Sequence, residues 1–148
     1  MSSNFFTAGA AAMTTNSEEW ETPQKLYEEL DAVYHFTLDP CSTDANAKCA
    51  KHYTIEDDGL SKSWAGEVVF CNQPYGRRIG EWVRKCAEEA DHATVVLLIP
   101  ARTDTAYFHD YIYGKADITF LRGRLKFELG GVAMNSAPFP SMVVAFRE

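Results

Sequence analysis

Four residues in the middle of the chain combine an amide, a rigid turn and an aromatic ring: Asn72, Gln73, Pro74 and Tyr75. They follow Val68–Cys71, a continuous apolar run of the kind found in strands that are covered on both faces. Ligands of open α/β sheets bind in the crevice beyond the carboxyl ends of the strands. The sequence therefore predicts a ligand-binding turn at residues 72–75, where Pro74 ends the strand.

The chemistry that these side chains suit is methyl transfer to the exocyclic amine of a flat base. Such an amine is a poor nucleophile because its lone pair is delocalised into the ring. The side-chain oxygen of Asn72 and a neighbouring backbone carbonyl can accept its two hydrogens, which aims the lone pair at a donor methyl. The ring of Tyr75 can stack on the base, worth about 1–3 kcal/mol by analogy with other base–aromatic stacks. The alternative is an ordinary turn, in which Asn and Pro are common.

Periodic apolar residues predict the elements that position this turn. Leu26, Leu30 and Val33 have helical spacing and predict a helix over about 23–34, with Thr22 as its N-cap and Pro23 as its first residue. Further helices are predicted over 79–90 and 106–112, with weak helical character at 45–52, and strands over 35–38, 68–71, 94–99, 118–121, 124–127 and 141–146.

The order of these elements predicts a small three-layer α/β domain. Strand–helix–strand units imply a mostly parallel sheet, and the last strands, which no helix separates, are expected to pair antiparallel. The polar stretch 40–66 is long for a connection inside a domain, and long loops tend to be functional. Residues 1–17 are predicted to be a flexible arm and residues 18–148 a single domain.

Composition narrows the class of protein further. The chain has 148 residues, of which 46% are hydrophobic, and it contains no apolar run long enough for a membrane helix. It has no secretion signal, so we expect a cytoplasmic protein whose four cysteines are reduced. Cys49 and His52 form only half of a metal-binding pattern, so no metal is expected. A monomer is favoured, although the sequence does not specify the oligomeric state.

The net charge of −7 conceals an asymmetry between the two halves of the chain. Residues 1–75 carry a net charge of −8, whereas residues 76–148 carry +1. An acidic first half suits a cationic or polar small ligand, and the bases of the second half can meet phosphates.

The turn at residues 72–75 also carries a resemblance to known enzymes. It looks like the (Asp/Asn)-Pro-Pro-(Tyr/Phe) signature of amino-group methyltransferases that use S-adenosylmethionine. More closely, the chain resembles the small phage-type DNA N6-adenine methyltransferase (Dam-like) family. The matching pieces, in the family's order and together covering roughly residues 18–148, are Trp20-Glu-Thr-Pro23, Leu38-Asp-Pro-Cys41 with Asn46-Ala-Lys-Cys49, Asp58-Gly-Leu60 with Trp64, Phe70-Cys-Asn-Gln-Pro-Tyr75, Gly123-Arg-Leu-Lys-Phe127 and Ala137-Pro-Phe-Pro-Ser141.

The resemblance implies a Rossmann-like, S-adenosylmethionine-dependent methyltransferase that flips an adenine out of double-stranded DNA and methylates its N6. If the gene is phage-borne, the enzyme acts in the host cytoplasm. The implied catalytic residues are Asn72, Gln73, Pro74 and Tyr75. The implied cofactor-binding residues are Trp20, Thr22, Pro23, Asp39, Pro40, Cys41 and Asp58. Asp39 is expected to attract the cofactor's positive charge, and Asp57 or Asp58 to contact its ribose hydroxyls.

Two departures from the family pattern bear on this expectation. Gln73 replaces the first proline of the usual pair, which makes the turn less rigid, although the backbone carbonyl that the chemistry needs remains. No Gly-x-Gly follows the first predicted strand, so the bulkier residues from Asp39 onward must form the cofactor turn. Thr22-Pro23 and Asp39-Pro40 also read as an ordinary helix start and an ordinary strand-ending turn.

A second group of residues is predicted to contact DNA phosphates. Arg122, Arg124 and Lys126 alternate with small or apolar residues, so a strand here would have one cationic face. Arg77 and Arg78 beside the turn, and Arg102 beyond the next strand, would extend this surface. The alternative is that the three alternating cations only prevent pairing at a sheet edge.

Three functions remain open from the sequence. The first is an adenine-specific DNA methyltransferase. The second is a methyltransferase that acts on an RNA base or on a protein glutamine, because the same turn serves those amines. The third is a non-catalytic module that binds DNA or cofactor and has lost turnover through Gln73.

Overall fold

A four-stranded mixed sheet forms the centre of the computed structural model, which describes residues 20–146. In spatial order the strands are β1 (Val68–Cys71), β2 (Thr94–Pro100), β6 (Ser141–Phe146) and β3 (Asp117–Phe120). β1 and β2 run parallel, whereas β6 runs antiparallel to both β2 and β3. The predicted arm, residues 1–17, lies outside the described residues.

The central strands are the most apolar part of the chain and the most buried. Every residue of β6 is buried, and so is every residue of β2 after Thr94. Their register pairs Leu97 with Val144, and β1 joins with Phe70 opposite Val96. The predicted antiparallel C-terminal strands are confirmed. The expectation of a mostly parallel sheet is corrected to a mixed one, because only one of the three strand pairings is parallel.

Within residues 20–146, two helices, one π-helical turn and one 3₁₀ turn accompany the sheet: α1 (Gln24–Tyr34), α2 (Ile79–Glu89), Phe108–Ile112 and Gly59–Ser61. α1 begins one residue later than predicted, and Pro23 rather than Thr22 is its N-cap, with no side-chain cap. Thr22 makes a different hydrogen bond, described below. The predicted helix over 106–112 is a π-helical turn over its last five residues.

Two predicted strands and a weak helix are wrong. Residues 35–38 do not form a strand, because His35 takes a left-handed conformation that ends α1 and only Leu38 bridges to Val69 of β1. Residues 124–127 have no regular secondary structure and lie outside the sheet. Residues 45–52 form turns and bends rather than a helix.

Apolar side chains pack on both faces of the sheet because successive residues of β2 point in opposite directions. Leu97 and Ile99 face a cluster built from α2 and the π-helical turn, which contains Trp82 and Ile112. Val96 and Leu98 face a second cluster, whose other members include Tyr27 of α1 and the aromatic residues Phe127 and Phe139 from the C-terminal loops.

A small hairpin lies outside the main sheet. β4 (Glu128–Leu129) pairs with β5 (Val132–Ala133) across a turn in which Gly130 and Gly131 have positive φ angles. Glu21 forms an isolated antiparallel bridge with Glu128. The hairpin therefore contacts the start of the described chain.

No helix within residues 20–146 is both long enough and apolar enough to cross a membrane.

Candidate active site

A cleft lies at the carboxyl end of β1. It is lined by Trp20, Glu21, Thr22, Asp39, Cys41, Ser42, Asn46, Lys48, Phe70 and Asn72. Its cavity volume is about 30 Å³, which is more than one water molecule needs.

The side-chain amide of Asn72 is held at both ends. Its Nδ2 donates to the backbone oxygen of Trp20 at 3.1 Å and to Oγ1 of Thr22 at 3.0 Å. Its Oδ1 accepts a hydrogen bond from the Tyr75 hydroxyl at 3.2 Å. A carbonyl oxygen can only accept, so the Trp20 contact requires the NH2 end of the amide to face that residue. The Asn72 oxygen consequently faces the Tyr75 side.

We call Trp20–Thr22 the strap, and the hairpin holds it in place. The backbone N–H and C=O groups of Glu21 and Glu128 exchange two hydrogen bonds, at 3.0 and 2.9 Å. The Glu21 carboxylate accepts from the backbone N–H groups of Gly130 and Gly131, each at 3.3 Å. These contacts join segments that lie more than 100 residues apart in sequence.

Asp39 is a buried carboxylate in the cleft wall, only 4% exposed. Its Oδ1 accepts from the backbone N–H of Cys41 at 3.3 Å and its Oδ2 from that of Lys48 at 2.9 Å. Burial raises the pKa of the Asp39 carboxyl, and these two hydrogen bonds only partly oppose the rise. Within residues 20–146, no side-chain cation lies at ion-pair distance from it. A positively charged ligand in the cleft would therefore be favoured electrostatically.

The turn after Asp39 packs directly against the 3₁₀ turn Gly59–Ser61. A Cβ atom on Gly59 would lie 2.1 Å from the Pro40 oxygen, so no other residue fits there without movement of the backbone. On the other side of the turn, the sulfur of Cys41 lies 3.8 Å from that of Cys71, and burial raises the pKa of the Cys41 thiol. The turn after Asp39, which has no glycines of its own, is thus closely packed against Gly59.

Four aromatic rings pack together on the α1 side of the cleft. The Tyr75 ring lies edge-on to Phe139 and Phe127, with centroids 5.5 and 6.1 Å away, and to Trp20 at 6.4 Å. The Trp20 ring stacks on Phe139 at 6.1 Å. Burial raises the pKa of the Tyr75 phenol, which keeps it protonated as a hydrogen-bond donor. We call these residues the aromatic cluster.

Gln73 is more buried than its neighbours in the turn. It is 1% exposed, and neither atom of its side-chain amide has a hydrogen-bond partner among the described residues. Pro74 and Asn72 are half-buried. The side chain of Gln73 therefore points into the protein, while its backbone carbonyl remains the group that the proposed chemistry requires.

The six predicted DNA-contacting cations are all exposed: Arg77, Arg78, Arg102, Arg122, Arg124 and Lys126. Arg78 pairs with Glu81 at 3.2 Å, and the Arg102 guanidinium lies 5.8 Å from the centroid of the Phe139 ring. The predicted strand for the last three is wrong, yet its alternation survives, since Leu125 is half-buried and Phe127 buried.

The cleft brings together five predicted residues, namely Trp20, Thr22, Asp39, Cys41 and Asn72. The other six predicted catalytic and cofactor-binding residues do not line it: Pro23, Pro40, Asp58, Gln73, Pro74 and Tyr75. Asp58 is exposed in a left-handed conformation before Gly59. Sequence reasoning from single residues missed Glu21, Ser42, Asn46, Lys48 and Phe70 as lining residues. The signal for most of them was their position within the matching pieces or within the long loop 40–66.

Within residues 20–146, no group of three or more His, Cys, Asp or Glu side chains is arranged to hold a metal ion.

A mixed α/β sheet with a polar cleft at the carboxyl end of a parallel strand is consistent with a methyltransferase. The chain belongs to the family described as DNA N-6-adenine-methyltransferase (Dam), which it matches over residues 9–148.

Two individual relatives agree with this membership. The DNA N-6-adenine-methyltransferase of Escherichia phage T1 is 29% identical over 115 residues, which is 76% of this chain and 48% of that protein. A candidate methyltransferase of Escherichia coli (strain K12), YfdM, is 32% identical over 65 residues, which is 39% of this chain and 71% of that protein. The chain thus spans about half the length of the phage T1 relative.

Proposed function

We propose that this chain transfers a methyl group from S-adenosylmethionine to the N6 amine of an adenine flipped out of double-stranded DNA, within a three-layer Rossmann-like domain over residues 18–148. The observation that carries the proposal is the oriented amide of Asn72 at the mouth of the cleft. Family membership supports the reaction class. The absence of a membrane-spanning helix in residues 20–146 is compatible with action in the cytoplasm, that of the host for a phage-borne gene.

The cleft residues fit this cofactor. When bound, S-adenosylmethionine supplies a methyl group on a positively charged sulfur. Asp39, a desolvated carboxylate without an ion-pair partner, would hold the positive charge of the ligand, with Trp20, Thr22 and Cys41 forming the walls. Ser42 Oγ is buried in the same cleft without a hydrogen-bond partner and could bind a polar ligand atom. Pro23, Pro40 and Asp58 are proposed in supporting positions, Asp58 beside the ribose.

The acceptor site would be formed by the turn after β1. Asn72 Oδ1 and the backbone carbonyl of Gln73 accept the two amine hydrogens of adenine, and Pro74 fixes the turn between them and Tyr75. The Tyr75 ring lies in the aromatic cluster, where a flipped base could join the stack. No strong base is required, because positioning supplies most of the rate enhancement. The six exposed cations would contact the phosphates that flank the flipped base.

The proposal is tested by expressing the chain in a methylation-deficient host and mapping modified bases in its DNA. We expect N6-methyladenine with the wild type. Purified Asn72→Ala protein should transfer labelled methyl groups at least about 100-fold more slowly, with its cofactor affinity unchanged by calorimetry. Asn135→Ala, which changes an exposed asparagine outside the cleft, should behave as the wild type.

Other outcomes would assign a different function. If a reference adenine methyltransferase labels unmodified DNA and this chain does not, DNA methylation is excluded. Transfer to RNA or to protein glutamines in a parallel acceptor scan would move the assignment to those substrates. Binding of cofactor and DNA without transfer would favour a non-catalytic module, and Gln73→Pro should then restore activity if Gln73 caused the loss.

A further inference from the structure

We propose that Thr22 is a positioning residue: its hydroxyl binds the second amide hydrogen of Asn72 and, beside the backbone oxygen of Trp20, holds the amide in the orientation that the acceptor amine requires. The inference rests on the proposed function and deepens it, because it concerns the orientation of one amide rather than ligand binding. The Thr22 hydroxyl oxygen accepts from Asn72 Nδ2 at 3.0 Å, next to the backbone oxygen of Trp20 at 3.1 Å.

The orientation of this amide decides whether the turn can accept a hydrogen from a base. The two ends of an asparagine amide have nearly the same shape but opposite hydrogen-bonding character. In the observed orientation Oδ1 faces Tyr75, and as a carbonyl oxygen it can accept a hydrogen of the substrate amine. A flipped amide would present N–H groups to an amine that itself carries hydrogens, and the acceptor would be lost.

The strap makes the flipped state unfavourable. A flip would place Asn72 Oδ1 against the backbone oxygen of Trp20, and neither oxygen can donate. The Thr22 hydroxyl by itself could tolerate a flip because it can also donate, but in the observed state it accepts the second Nδ2 hydrogen. Thr22 is only 2% exposed, so water does not compete easily for this bond. Both N–H groups of the amide are thereby satisfied at once.

The hairpin makes this arrangement rigid. Glu21 lies between the two acceptor atoms in sequence, and both its backbone and its carboxylate are bound by residues 128–131. The strap therefore cannot shift without breaking contacts to the hairpin. A segment without catalytic groups of its own thus sets the geometry of the catalytic turn.

The test compares three variants with the wild type in steady-state methyl transfer. Thr22→Val keeps the shape and removes the acceptor, Thr22→Ser restores a hydroxyl, and Thr37→Val is the matched control. The exposed Thr37 hydroxyl is also hydrogen-bonded, to Glu67 at 2.7 Å, to the Val68 oxygen at 3.4 Å and from the Val68 N–H at 2.9 Å, and it does not line the cleft.

The inference is supported if the variants change kcat and leave KM unchanged. Thr22→Val should lower kcat about tenfold, the equivalent of one lost hydrogen bond, without a change in KM for cofactor or DNA. Thr22→Ser should restore most of kcat, and Thr37→Val should not reduce it. An unchanged kcat in Thr22→Val would overturn the inference. A raised cofactor KM at unchanged kcat would also overturn it, since Thr22 would then be only a cofactor contact.

A second readout keeps the inference separate from the proposed function. In the wild type, the Asn72 side-chain NH2 protons should exchange slowly with solvent by NMR, and Thr22→Val should accelerate their exchange at least about fivefold. If the wild type transfers no methyl group to DNA but shows this pattern, the proposed function fails and the positioning role stands. Equal exchange rates in both proteins would refute the positioning role, whatever the activity.

Discussion

Two buried carboxylates lie at opposite ends of the parallel strands and have different partners. Glu89 lies shortly before β2 begins, where it accepts hydrogen bonds from the Trp64 backbone N–H at 2.6 Å, Lys85 Nζ at 3.1 Å and His92 Nε2 at 3.1 Å. Burial tends to raise the pKa of Glu89, but these partners outweigh it and lower the pKa. At the carboxyl end, Asp39 has only two backbone donors, and burial raises its pKa.

Buried polar atoms without a hydrogen-bond partner also differ between the two ends of the parallel strands. Among the described residues, the buried side-chain atoms without a hydrogen-bond partner belong to Ser42, Gln73 and Ser141. Ser42 lines the cleft, Gln73 follows β1, and Ser141 pairs in register with Pro100, the last residue of β2. All of them therefore lie at the carboxyl ends of the parallel strands. The carboxylate at the amino end is fully partnered, whereas the carboxyl end retains unpartnered polar atoms, of which the Ser42 hydroxyl lies in the cleft where a ligand can reach it.

The sharpest test of this contrast is the pH dependence of stability, and it carries the largest expected effect. Glu89→Gln should lower the free energy of unfolding by about 3 kcal/mol at neutral pH, because it leaves Lys85 without its buried partner. The stabilisation by Glu89 should be complete above pH 4.5, its ordinary pKa, and should be lost as the pH falls through its lower folded value.

The stability that Asp39 contributes should change with pH in the opposite direction. Its folded pKa lies above the ordinary 3.8, so the native state binds more protons than the unfolded state. The stability of the wild type relative to Asp39→Asn should therefore fall as the pH rises from 3.8 through the folded pKa. Urea unfolding at several pH values measures both slopes, and slopes of the same sign would contradict the contrast. Asp39→Asn should also weaken cofactor binding about tenfold or more.

Two separate glycine substitutions test whether the turn after Asp39, the proposed cofactor turn, depends on close packing. Gly59→Ala places a Cβ 2.1 Å from the Pro40 oxygen and should destabilise the protein by about 2 kcal/mol while weakening cofactor binding. Gly80→Ala, within α2, is the matched control, because a Cβ there would meet only the Tyr107 ring, at 3.9 Å. It should stabilise the protein by about 0.5–1 kcal/mol through its higher helix propensity. Equal effects in thermal unfolding would refute the packing argument.

The sequence predicts the parts of this molecule whose structure is decided locally. The apolar runs at 94–99 and 141–146 become β2 and β6 within one residue, because a fully buried strand needs nothing but apolar residues. α1 and α2 follow from helical spacing in the same way. The cleft beside Asn72 follows from the general position of ligand sites in α/β sheets.

What sequence reasoning missed depends on contacts between distant segments. The run 35–38 is apolar, but the Phe36 ring packs between Tyr27 and Phe70 instead of continuing a strand. The bond from Asn72 to Thr22 joins residues 50 positions apart, and the pairing of Glu21 with Glu128 is longer still. No periodicity within either segment encodes such pairings. The sequence accordingly predicts Thr22 as a helix cap, whereas its hydroxyl accepts a hydrogen bond from Asn72.

A smaller effect is expected when single arginines on the two faces of the sheet are replaced. Arg124 is exposed on the loop beside the aromatic cluster, whereas Arg84 is exposed on α2 and pairs with Glu88 at 2.9 Å. Arg124→Ala should flatten the plot of log DNA affinity against log salt concentration by about 0.9, the equivalent of one lost phosphate contact. Arg84→Ala should leave the slope unchanged. If neither variant alters the slope, Arg124 does not contact a DNA phosphate.

The smallest expected effect concerns the hydrogen bond that Asn72 must exchange for substrate. The Tyr75 hydroxyl donates to Asn72 Oδ1 at 3.2 Å, the same oxygen that is proposed to accept from adenine. Tyr75→Phe removes this competitor and keeps a ring against Phe139, so KM for DNA should fall about threefold at unchanged kcat. Tyr75→Ala, which also removes the ring, should instead raise KM for DNA while sparing cofactor affinity. A tenfold loss of kcat in Tyr75→Phe would mean that the phenol takes part in the reaction itself. The carboxyl ends of the strands would then contain a reactive group, the Tyr75 hydroxyl, that already has a hydrogen-bond partner in the structure.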